Sequence, residues 1–190
     1  MPRATTRPAA RTPARAAAAA TTTKLLRVPA EEATRILRTT IRFVADLPPR
    51  STGAFVWTQG DSELQVDAFG VTLACAPGLV TVGVPVSCDQ VEKPVTVPVP
   101  IAVGTPQRPA GLVMTTFDRV AAPPLIAGLW SEAIAAFAWE ALVHLAQQLA
   151  AQAGKDAQGR PFVPLAVAAD ARLLLVQPAP RIDLGTRTAR

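Results

Sequence analysis

The chain has 190 residues with 19 basic and 14 acidic side chains, a formal net charge of +5. That length suits one domain with tails and is enough to bury a real core. One His excludes a His-rich metal site, and two Cys exclude a zinc ribbon or a disulfide scaffold. Three Trp, six Phe and no Tyr leave little for stacking nucleic-acid bases. The 37 Ala, the excess of 16 Arg over three Lys and the missing Asn follow the codon bias of a GC-rich genome, as in many bacteria and phages.

Residues 1–24 hold Arg3, Arg7, Arg11, Arg15 and Lys24 with no acid. No large apolar residue lies between Met1 and Leu25, so nothing offsets the entropy of ordering this segment. Pro8 and Pro13 interrupt any helix in it. The expectation is a flexible basic arm, 1–24, ahead of a single domain, 25–180, and a basic tail, 181–190. The domain itself has 11 basic and 13 acidic residues, so the positive charge belongs to the ends. An arm of this kind binds a polyanion such as nucleic acid through Arg3, Arg7, Arg11 and Arg15, threads across a neighbouring subunit, or is a plain linker. The Ala16–Ala20 run lacks the apolar core of a signal peptide. The chain is therefore expected in the cytoplasm or within a particle, with Cys75 and Cys88 reduced and serving as small apolar residues.

Pro29, Glu31 and Glu32 mark a helix start. Ile36, Leu37, Ile41, Val44 and Leu47 give it one apolar face, and Pro48-Pro49 ends it. Arg35, Arg38 and Arg42 form a solvated face, with Glu31 and Asp46 one turn from Arg35 and Arg42. The period then changes to two. Strands are predicted at 54–58, 63–69, 71–76, 79–88, 94–103 and 111–117, punctuated by Gly60-Asp61 and Pro77-Gly78. Asp61, Glu63 and Asp67 cluster at a turn without the spacing of a calcium loop.

The segments LVTVGVPVSC (79–88) and PVTVPVPIAV (94–103) carry the most specific signal. Val80, Val82, Val84 and Val86 share one face of the first, and Val95, Val97, Val99, Ile101 and Val103 one face of the second. A hairpin is the natural pairing. Pro94, Pro98 and Pro100 are all even-numbered, so they remove donors from one edge and leave the odd residues to pair with the first segment. Pro85 interrupts the odd edge of the first segment. The expectation is a projecting Pro/Val-rich hairpin, at most loosely joined to the main sheet. Its valine face packs either on the domain's own core or on another subunit, where those nine residues would form a protein interface.

A long helix is predicted from Pro124 to Ala153, closed by Gly154. Its length and apolarity invite a membrane reading, against which stand Glu132, Glu140, His144, Ser131 and a run of weakly apolar Ala. A final hairpin spans 162–168 and 172–177. The fold class is α+β: an antiparallel sheet or small β-sandwich, one long central helix, a short N-terminal helix, the hairpin and the disordered arm.

Catalytic constellations are thin. No Ser lies in a G-x-S-x-G context. Glu132, Glu140 and His144 share one flank of the long helix, where they would serve a small-molecule site or an enzyme if facing ligands existed. No metal and no cofactor is implied. These readings point to a non-enzymatic assembly subunit of a virion, tail or similar particle, with itself or other subunits as partners and no membrane span. The alternatives are a nucleic-acid-binding protein using the arm, and a site around Glu132, Glu140 and His144.

Overall fold

A computed structural model describes residues 25–89, 91, 93–111 and 120–182. The basic arm with Arg3, Arg7, Arg11 and Arg15, the strand expected at 111–117 beyond Gly111, and the tail from residue 183 lie outside these residues. The architecture is α+β, with antiparallel sheets, a long central helix and a shorter helix near the N-terminus.

The chain begins with a short strand, β1 (Leu26–Pro29), and enters α1 (Ala30–Val44) at Pro29. Ala33, Leu37 and Ile41 give α1 its fully buried stripe. The helix ends in a Schellman turn: Asp46 takes a left-handed φ of 49°, and the Leu47 N–H donates to the Arg42 carbonyl at 2.8 Å. Arg35 pairs with Glu32 at 2.5 Å rather than with Glu31, and the Arg38 guanidinium donates to the Val71 carbonyl at 3.0 Å. Arg42 stacks 4.9 Å over the Phe43 ring.

Five strands then form one sheet: β2 (Ala54–Gln59), β3 (Ser62–Asp67), β4 (Thr72–Ala76), β5 (Leu79–Ser87) and β6 (Val95–Ala102). Gly60, at φ 60°, turns β2 into β3 in a two-residue loop that leaves Gln59 opposite Ser62. A carboxylate makes the next corner. Asp67 Oδ1 accepts from the N–H groups of Phe69 and Gly70, both at 3.0 Å, and turns the chain from β3 into β4.

The last hairpin, β7 (Phe162–Asp170) and β8 (Leu173–Pro180), adds β1 in the order β1-β8-β7. The two sheets are tied at one end. The Gly78 N–H donates to the Ala169 carbonyl at 3.0 Å, the Gly104 N–H to the Val167 carbonyl at 3.0 Å, and the Arg172 N–H to the Cys75 carbonyl at 3.3 Å.

Helix α2 (Pro124–Gln152) packs against α1, β5, β6, β7 and β8. Ile126, Trp130, Ile134, Phe137, Ala138, Leu142, Leu145 and Leu149 are buried, and Gly154 follows in the left-handed conformation, φ 88°. The helix is long and apolar enough to cross a membrane by length and composition. Here it forms the spine of the core, where each fully buried Leu or Ile contributes about 1.5–3 kcal/mol.

Candidate assembly surface

The hairpin β5–β6 forms with the predicted proline parity, and its register sets Val80 opposite Ile101, Val82 opposite Val99, Val84 opposite Val97 and Val86 opposite Val95. It does not project. β3 and β4 both pair with the other edge of β5, which places β5 in the middle of the sheet. Pro85 explains how. β3 pairs at Val86 and Ser87, β4 pairs from Leu79 to Gly83, and Pro85 falls in the gap made by the Asp67 corner. Its missing donor therefore costs the ladder nothing.

The valine face packs on the domain's own core. Val80, Val82, Val84, Val97, Val99 and Ile101 are fully buried and Val86 is nearly so, whereas Val95 and Val103 are half-buried. The seven buried side chains are therefore covered within this chain, and only Val95 and Val103 keep part of their surface exposed. The apolar alternation read in the sequence was that of an interior sheet face.

The opposite face of the same strands is the notable surface. Side chains directly across an antiparallel pair share a face. The registers align Ala76, Leu79 and Ala102 in one row, Ala74, Thr81 and Pro100 in the next, and Thr72, Gly83 and Pro98 in a third. Pro85 and Thr96 continue it. No outward position on β4, β5 or β6 carries a charged side chain. The face is also closely filled: a side chain on Gly83 would lie 2.5 Å from Thr72 Oγ1 and 3.0 Å from Thr96 Cγ2.

Beyond this neutral area the outer face turns acidic and polar. Val56, Gln65 and Ser87 form the adjoining row, and Glu63, Asp67 and Asp89 stand around it, exposed. Val56, Glu63, Gln65, Ser87, Cys88 and Asp89 line a shallow open depression.

The other candidate residues are not brought together into a site. Glu132, Glu140 and His144 lie on the exposed stripe of α2, and among the described residues no three His, Cys, Asp or Glu side chains converge to hold a metal. Cys75 and Cys88 are both free thiols, and burial pushes the Cys75 thiol up to about 11.

One cluster escaped the sequence reading. Phe55 and Trp57 on the inner face of β2 meet Trp130 and Phe137 of α2, with centroids 5.7 Å apart for Phe55–Phe137 and 6.4 Å for the stacked Trp57–Trp130 pair. Alternation on β2 and helical spacing on α2 signal each pair separately. Nothing local signals that they touch.

No family model matches the sequence, no curated protein matches it, and no solved structure matches the fold.

Proposed function

We propose that this chain is a non-catalytic structural subunit that packs with copies of itself into a larger particle. In this reading the contact runs through the outward face of β4, β5 and β6, and the basic arms 1–24 and 181–190 reach acidic surfaces of neighbouring copies. The observation that carries it is the absence of charge from every outward position of three adjacent strands. Soluble domains hold solubility by mixing roughly 25–35% charged residues over their surfaces, and interface cores are where charge is depleted. A neutral face also suits a second copy of itself, because no like charges meet across a two-fold axis.

The test is to place charge on that face at positions whose side chains are already exposed. Ala74→Glu combined with Thr96→Glu is expected to reduce the assembly size on gel filtration, while Gln148→Glu on α2 leaves it unchanged. If the doubly charged variant assembles like the parent, this surface is not the contact.

A further inference from the structure

Among the described residues, each strand edge of the two sheets is blunted, except one. The outer edge of β6 loses donors at Pro98 and Pro100, with Pro94 just before it. The outer edge of β4 is covered by α1 and by the β7–β8 turn: the Leu73 N–H donates to Thr34 Oγ1 at 3.1 Å, and the Cys75 carbonyl accepts from the Arg172 N–H. Beyond β7, Gly104 and Ala110 pair with Ala168 and Val167. The edge strand β1 is four residues long and stops at Pro29.

Among the described residues, the outer edge of β2 has none of these devices. Its sequence, AFVWTQ, has no Pro, Gly or charge, and among the described residues β3 is its only strand partner. Around the tight Gly60-Asp61 turn, the flanking pair Gln59 and Ser62 exchanges both hydrogen bonds. Phe55, Trp57 and Gln59 therefore aim their backbone groups at β3, and Ala54, Val56 and Thr58 aim theirs outward. Val56, in the middle of the strand, is also 51% exposed. Native proteins protect such an edge because it is a template for another strand.

We infer that β2 is the seat of a two-fold contact in which the β2 strands of two copies pair antiparallel, joining their sheets into one. The inference rests on the assembly reading only for the presence of a second copy. The outward backbone groups restrict the register to pairs of even-numbered residues. Centred on Val56, it sets Ala54 opposite Thr58 of the other copy, Val56 opposite Val56, and makes about six hydrogen bonds. On the inner face it sets Phe55 opposite Trp57 of the other copy, beside the Phe55–Trp57 contact, 5.5 Å between centroids, that already runs along each strand. Antiparallel pairing is the strand contact that a two-fold axis generates, and an uncharged strand meets itself without repulsion.

The experiment uses Val56→Lys and Val56→Glu in the full chain, each alone and mixed, with far-UV circular dichroism to verify folding. Each variant alone sets like charges opposite one another at the axis. Self-association is expected to weaken about tenfold or more. The one-to-one mixture sets Lys against Glu and is expected to restore it. In the parent protein, the amides of Ala54, Val56 and Thr58 are expected to gain hydrogen-exchange protection as concentration rises. Unchanged association of both variants, or amides at these positions that exchange freely at every concentration, would overturn the inference. The charged variants at Ala74 and Thr96 report on the neutral face alone, so either contact can fail while the other stands.

Discussion

Thr72 and Gly83 lie directly opposite on β4 and β5, and Thr72 Oγ1 occupies the space a side chain on Gly83 would need. Gly83 is thus kept small by its neighbour on the outer face, not by backbone conformation. Gly83→Ala is expected to cost about 1–3 kcal/mol in urea unfolding, the range for overpacking a filled site. Adding Thr72→Ala removes the nearer of the two side-chain atoms that the new methyl meets, leaving Thr96 Cγ2. The double variant is then expected to lose less than the sum of the singles, and strict additivity in that cycle would show that the two residues are not coupled.

Gly104 has a harder limit. A side chain there would run into the backbone of Arg108, Pro109 and Ala110, which a rotamer change cannot move aside. The same residue joins β7, accepting from the Ala169 N–H at 2.9 Å and donating to Val167. Gly104→Ala is therefore expected to destabilise the fold by about 2–3 kcal/mol. Protection of the Gly104 and Ala169 amides is expected to fall first. A melt within 1 °C of the parent would contradict this.

The Cys75 thiol is expected to be slow to react near neutral pH. Burial raises the Cys75 thiol to about 11, so at pH 7.5 its thiolate fraction is very small. Alkylation of Cys75 by iodoacetamide, followed by mass spectrometry of the native protein, is expected to be slow near neutrality and to rise steadily toward pH 11. A rate that levels off below pH 9 would refute the assignment.

The turn after α2 carries an acid-sensitive element. Desolvation raises the Asp156 carboxyl, but hydrogen bonds from the Arg160 side chain and backbone and from the Gln158 backbone outweigh it and hold it below the ordinary range. A lowered folded-state value contributes stability at pH above the unfolded carboxylate's value, and that contribution disappears as pH falls through the folded one. Asp156→Asn is expected to loosen residues 154–161 at pH 7 and to change nothing once the parent carboxyl is protonated. Amide exchange in that turn at both pH values checks it.

Much of the fold was legible because local rules and burial agree. Proline before α1, glycine after α2 and the parity of Pro94, Pro98 and Pro100 each have a mechanism, and each lands where it should. The valine alternation was equally clear, but periodicity says only that a face is apolar and not what covers it. That information lies in the Asp67 corner, which lets β3 and β4 share one edge of β5 around Pro85. β1 was missed because four residues are too few for a period, and its pairing with β8 is set across the whole chain. The candidate surface was harder to read. Its signal is an absence of charge on the face opposite the valines, visible only once the registers align three strands.

The most direct test of the assembly account is light scattering on the parent protein over a wide concentration range. The account predicts a weight-average mass that exceeds a single chain and rises to a discrete multiple of it. A single-chain mass at every concentration would contradict it.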